Sequence, residues 1–324
     1  MGATPGTAPP ETDLLIRPMR DDDLHAADRV RRLAFGTFLG LPDPLSFRGD
    51  ADPLRTRYLA DPSAAFAAEF GGELVGTNVA VDWGSVGFFG PLSVRPDLAN
   101  RGVAQRLVAA VMEVFERRGT RHVGLFTFGH SPKHLALYQK FGFWPRFPTA
   151  IMARPVEPSR TLAGWSAFSE LTAGEQQACL EGCYALTDAV YPGLDLSLEI
   201  RATERHRLGE TVLLLDGSDL IGFAVCHCGP GTEAGGDACY VKFGAVRPGP
   251  EAEPTLARLL DACTELARAR GLTRLVAGVS TARRAAYRSL LAYGFRTDVL
   301  GLAMHRPDEA GYNRPDVYLL DDWR

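Results

Sequence analysis

Hydrophobic positions along the chain change period several times, and each change marks an element. Residues 14–18, Leu-Leu-Ile-Arg-Pro, read as an opening strand. Asp21, Asp22 and Asp23 then offer N-cap oxygens to a helix whose apolar face carries Leu24, Ala27, Val30, Leu33 and Ala34. Residues 35–60, dense in Phe, Pro and Gly, hold no helical period and are expected to be irregular. Two β-rich runs, 66–70 and 74–81, flank Gly71 and Gly72 and predict a hairpin. Residues 86–94 form an apolar run broken by Gly90 and Pro91, after which Val103, Leu107, Val111 and Phe115 recur at helical spacing. A second buried strand is predicted over 123–128, and a capped helix over 131–143 that ends at Gly142.

The pattern then returns. Residues 213–225 repeat the hairpin phrase, and setting Val94 against Val246, an offset of 152, aligns 94–155 with 246–307 without a gap. Fourteen of those 62 positions are identical, where about four are expected by chance. They include Arg95/Arg247, Pro96/Pro248, Leu107/Leu259, Gly119/Gly271, Gly142/Gly294, Phe143/Phe295 and Met152/Met304. The expectation is one fold present twice, joined by a proline-stiffened linker within 154–160.

Chemistry points to the stretch 93–104. A strand, a loop and a helix follow one another here, and a helix start leaves several N–H groups without intrahelical partners. Gly102 and Ala104 present no bulk that would keep a phosphate from those donors, and Arg101 adds a positive charge. Each such contact with an anion contributes roughly 0.3 to 1 kcal/mol. In the repeat register Gly102 falls on Pro254, Ala104 on Leu256, Arg101 on Glu253, Tyr138 on Leu290 and Ser131 on Arg283. The second loop thus loses an N–H, gains bulk and places a carboxylate where phosphate would sit.

The 93–104 loop, followed at this distance by Leu-Tyr-x-Lys-x-Gly-Phe over 137–143, resembles the GNAT-type acyl-CoA N-acyltransferase superfamily, over about 87–154. The resemblance implies an α/β fold of the α+β type, two tandem GNAT-like domains, each a central mixed sheet flanked by helices. With the internal repeat, the expected division is a disordered segment 1–12, a catalytic acetyl-CoA-binding domain 13–156, a linker 157–164 and a degenerate domain 165–324. The resemblance assigns the backbone of Arg101, Gly102, Val103 and Ala104 to the pyrophosphate, Leu92, Ser93 and Val94 to the pantetheine arm, and Tyr138 to protonation of the departing thiolate. Ala99 and Ser131 stand where the family usually has Gln or Arg, and Asn. Taken by its residue type alone, Tyr138 reads more readily as a half-buried packing residue.

An acceptor amine must lose a proton to attack. Glu69 is named as the base on the family's habit of recruiting strand carboxylates, beside Asp82, His130, His134 and a terminal carboxylate at Arg324. The cluster Phe38, Leu39, Leu41, Pro42, Pro44 and Phe47 reads as an apolar wall for the acceptor or as core.

Composition narrows the rest. A net charge of -4 and a pI near 6.0 give no footprint for nucleic acid or an anionic membrane. Neither a secretion signal nor a spanning run is present, so a cytoplasmic protein is expected. All six cysteines fall in the second half, at 179, 183, 226, 228, 239 and 263. Without a C-x-x-C pair they read as buried thiols, and no metal is expected. The expected function is N-acetyl transfer from acetyl-CoA to a small-molecule amine or free amino group by direct attack in a ternary complex. Mycothiol-synthase-like chemistry is a second enzymatic reading, and a non-catalytic acyl-CoA sensor or dimerisation module is a third. Oligomeric state is not legible, a homodimer being one arrangement.

Overall fold

The computed structural model describes residues 14–157 and 164–324; the expected disordered segment 1–12 and most of the expected linker 157–164 lie outside the described residues. The first half runs β1 (Leu14–Pro18), α1 (Leu24–Phe38), α2 (Pro53–Ala60), β2 (Ala65–Phe70), β3 (Glu73–Trp83), β4 (Val86–Phe89), β5 (Ser93–Val94), α3 (Val103–Arg118), β6 (His122–Thr127), α4 (Pro132–Gln139) and β7 (Trp144–Pro155). The second half runs β8 (Trp165–Ala167), α5 (Ala173–Val190), α6 (Ser197–Arg205), β9 (Gly209–Asp216), β10 (Asp219–Gly229) and β11 (Gly235–Val246). It continues through α7 (Ala252–Ala269), β12 (Arg274–Ser280), α8 (Arg284–Ala292), β13 (Arg296–Arg306) and β14 (Leu319–Leu320). The result is the expected mixed sheet flanked by helices.

The irregular reading of 35–60 is corrected by α2. Pro53 opens that helix and the Asp52 carboxylate accepts from the Arg55 N–H at 3.0 Å, an N-cap followed by proline at N1. Its buried positions are Leu54, Thr56 and Arg57, so an apolar stripe never forms in the sequence. Asp23 also departs from expectation. Its carboxylate caps nothing in α1 but takes Arg17 at 2.6 and 2.9 Å, and that bond, first among its influences, holds it below the usual carboxylate range.

One sheet passes through both halves in the order β1-β2-β3-β4-β6-β13-β7-β12-β11-β10-β9-β8. The halves exchange strands: β13 lies between β6 and β7, and β7 lies between β13 and β12. The exchange follows the offset of 152. Leu125 pairs with Met304 and Ala277 with Met152; Thr127 pairs with Leu302 and Val279 with Ala150. The central β7·β13 ladder obeys the same rule, with two bulges that map onto each other, between Thr297 and Val299 and between Ala303 and Met304.

Packing follows the ladders. Met304 is fully buried in the first half's core with Phe89, Val111, Phe115, Leu125 and Phe143. Met152 is equally buried in the second half's core among Leu256, Cys263, Leu275 and Leu290. Each such side chain removes apolar surface from water worth about 1.5 to 3 kcal/mol. A buried charge cluster adds a polar tie. Arg57 meets Glu233 at 2.7 Å, and Lys242 Nζ meets Glu233 at 2.8 Å and Glu199 at 2.7 Å. Although burial opposes it, the charges of Arg57 and Lys242 hold the Glu233 carboxyl well below its usual range. Such groups are tolerated inside only when paired, and removing one partner would leave an uncompensated charge.

Candidate active site

α3 begins without a side-chain cap. Gly102 precedes it in the left-handed region (φ 78°), as does Asn100 (φ 67°), and a Cβ built on Gly102 would meet open space. The first N–H groups of α3 therefore have no side-chain acceptor, and successive donors in such a turn form a concavity suited to an anion. Gly102, Val103 and Ala104 line a cavity of about 970 Å³, together with Asn100 and Gln105.

The cavity runs along β5. Leu92 and Val94 line it while Ser93 is buried between them, the alternation that a strand imposes. β5 pairs with β3 through Gly76 and Thr77, and no described strand pairs with its other edge. At the offset of 152, Leu92 and Ser93 correspond to Gly244 and Ala245, and there the edge is occupied. Gly244 pairs with Leu320 and Ala245 with Leu319, so β14 fills the second half's cleft. The buried Arg283, counterpart of Ser131, fastens that strand by donating to the Leu319 carbonyl at 2.9 Å and the Asp321 carbonyl at 3.0 Å. In the same half α7 starts at Ala252, and Pro254 lies inside its first turn with Glu253 beside it. The loop that stands uncapped ahead of α3 in the first half is absorbed into helix in the second.

Tyr138, on α4, lines the cavity where β4 gives way to β5. Its ring packs 5.9 Å from that of Phe89, only 8% of its surface is exposed, and burial pushes its hydroxyl pKa up, so it holds its proton at neutral pH. Beyond it the wall is aromatic. Phe38 stands 5.3 Å from Phe128, 5.7 Å from His130 and 4.9 Å from His134, and Phe35 stacks on Phe47 at 5.3 Å. All six line the cavity. Burial first, then the charges of Lys133 and His130, lower the His134 pKa and keep that imidazole neutral.

The remaining expected residues fall elsewhere. Arg101 is exposed and does not line the cavity. Ser131 caps α4, accepting from the His134 N–H at 3.4 Å. Glu69 lies apart from the cavity: on β2 it accepts from Arg17 Nε at 2.9 Å and does not line the cavity. Asp82 is tied to the Gly84 N–H at 2.8 Å and to Arg118 at 3.3 Å. Of the apolar cluster, Phe38, Leu39 and Phe47 reach the cavity. Arg31, Arg48, Glu233, Trp323 and Arg324 also line it, and the Arg324 main-chain oxygen accepts from Arg57. No spacing in the sequence marks them, because they converge from segments that the strand exchange brings together. The four thiols of the second core stand in pairs, Cys226–Cys263 and Cys228–Cys239, each at 3.7 Å; no group of metal-ligating side chains occurs among the described residues. No helix among them is long and apolar enough to cross a membrane.

Residues 30–143 match the acetyltransferase (GNAT) family model. No curated protein matches the chain in sequence. Among solved structures, a protein of Pyrococcus horikoshii assigned as an acetyltransferase superposes with a TM-score of 0.66 at 13% identity, covering 94% of this chain and 93% of that one. A GCN5-related N-acetyltransferase from Sphaerobacter thermophilus gives 0.56 at 16% identity, covering 96% and 98%. One from Anabaena variabilis gives 0.53 at 11% identity, covering 90% and 72%. At these identities the structural likeness establishes the fold. Taken with the family match, it shows that the chain carries a GNAT acetyltransferase domain in its N-terminal half.

Proposed function

We propose that the chain is an acetyl-CoA-dependent N-acetyltransferase with one working site, in the first half, and that residues 165–324 are a second, degenerate copy of the same domain. One observation carries the reading: the cleft edge at Leu92 and Ser93 is open, while the equivalent edge at Gly244 and Ala245 is already paired with β14. Acetyl-CoA enters the open cleft with its pyrophosphate on the N–H groups of α3 and its pantetheine arm along β5. Family membership supports the cosubstrate, and the uncapped start of α3 supports its placement.

In this mechanism a neutral amine attacks the thioester carbonyl carbon, forming the C–N bond, and the C–S bond breaks. The thiolate takes its proton from Tyr138 Oη, and the proton lost by the amine passes to the His130/His134 pair. A phenol kept neutral by burial suits that first role, since it delivers a proton without bringing a charge into an apolar cleft. A neutral imidazole suits the second.

Thiol release from acetyl-CoA, measured across a panel of primary amines, tests the reading. Amine-dependent release is expected. Stabilisation by CoA with no release under any amine would instead favour a sensor.

A further inference from the structure

Two arginines, Arg48 and Arg324, line the cavity from opposite halves of the chain. Arg48 follows the aromatic wall in a turn where both it and Gly49 are left-handed (φ 63° and 54°), and among the described residues its side chain has no hydrogen-bond or ion-pair partner. Arg324 lies over the Tyr240 ring, 3.8 Å from its centroid, with Nε 3.6 Å from Asp322. Arg31, Glu233 and Asp322 are already committed. Arg31 is bound by Asp28 at 2.6 Å and donates to the Ala51 carbonyl at 3.0 Å, Glu233 is shared between Arg57 and Lys242, and Asp322 takes the Tyr240 hydroxyl at 3.0 Å.

We propose that Arg48 and Arg324 form an oxyanion subsite, and that the acceptor is an amine with an apolar or aromatic body and an acid group, carboxylate or phosphate, seated between them. This rests on the transferase reading for the word acceptor, though not for the subsite itself. Two like charges sharing one cavity wall repel, and an anion between them turns that repulsion into two charge-assisted hydrogen bonds. The Arg48 pKa agrees with their closeness: the Arg324 charge first, and burial second, bring it down to about 10, so it stays protonated at neutral pH. The aromatic wall of Phe35, Phe38, Phe47 and Phe128 takes the body of the same molecule. The second half contributes to the site here, because β14 anchors the segment that delivers Arg324.

Titration calorimetry on the full chain saturated with CoA tests the subsite, using N-acetylphenylalanine against N-acetylphenylalaninamide and O-phosphoethanolamine against ethanolamine. At least one acid is expected to bind about tenfold or more tightly than its partner lacking the acid group. The pair showing the preference distinguishes carboxylate from phosphate, and Arg48→Gln or Arg324→Gln should erase the preference while Arg48→Lys keeps part of it. Equal or absent binding within both pairs, or a preference that survives both glutamine variants, overturns the subsite. Thiol release measured in parallel keeps the two readings apart. An acid preference without turnover overturns the transferase and leaves the subsite standing, whereas turnover without acid preference overturns the subsite alone.

Discussion

Thr149 of β7 and Gly301 of β13 stand directly opposite each other in the ladder, and they are also each other's counterparts at the offset of 152. A two-fold relation between the halves therefore passes through this pair, and every exchanged contact is repeated on either side of it. The first half borrows β13 and Met304; the second borrows β7 and Met152. Expressed alone, residues 1–157 are expected to give no cooperative transition by circular dichroism, while the full chain unfolds in one. A fragment 1–157 that melts cooperatively and binds acetyl-CoA would contradict this.

Tyr138 is the residue whose loss should separate chemistry from binding. Tyr138→Phe removes the proton and leaves the ring packed against Phe89. Turnover is expected to fall by roughly tenfold or more with little change in acetyl-CoA affinity. An unchanged rate would take the phenol out of the mechanism.

Gly102 carries the test of the phosphate cradle. Its left-handed backbone (φ 78°) costs a side-chain-bearing residue about 1 to 2 kcal/mol, whatever space surrounds it. Gly102→Val is expected to weaken acetyl-CoA binding by about tenfold, from that strain and from bulk near the donors. Calorimetry with acetyl-CoA reads the effect, and Pro254→Gly serves as its control. Because Pro254 lies within α7 beneath a cleft that β14 already fills, that change should create no second binding event.

Acid should destabilise the protein through its buried histidines. His122 Nε2 lies 3.0 Å from His305 Nδ1, and burial, the leading cause in each, lowers their pKa values to about 4 and about 3; His227 is lowered to about 4 for the same reason. Their folded values lie below the unfolded one, so the unfolded chain binds more protons between pH 6.5 and about 4, and stability falls as pH falls through that window. Each histidine contributes a slope of at most about 1.4 kcal/mol per pH unit. Melting temperatures at closely spaced pH values should decline below pH 6.5, and His122→Gln together with His227→Gln should flatten the decline. A melting temperature level from pH 7 to pH 4.5 would refute it.

Much of the fold was legible because its elements carry their own signals. The hairpin turn at Gly71 and Gly72 and the helix start after Gly102 are matters of local backbone chemistry, and both stand where they were expected. α2 was not, because it buries Arg57 and Thr56 where a stripe of aliphatics would announce a helix. The strand exchange was out of reach for a different reason. β7 and β13 have the same pattern whether they pair within their own half or across, so pairing partners are set by tertiary contacts that periodicity does not encode. The candidate site divides the same way. The Gly102 loop and Tyr138 come from motifs, whereas Arg48, Glu233 and Trp323 meet only through the sheet that both halves share. Nothing in a strand pattern says that Arg17 waits opposite Glu69, or that Glu69 stands off the cavity.

The exchange of β7 and β13 also bears on how such a chain persists through time. A half that no longer holds a ligand would ordinarily be free to decay or to be deleted. Here a deletion of the second half would strip the central strand β13 from the first, so if the working site lies in the first half, as proposed, selection for its activity is enough to preserve both.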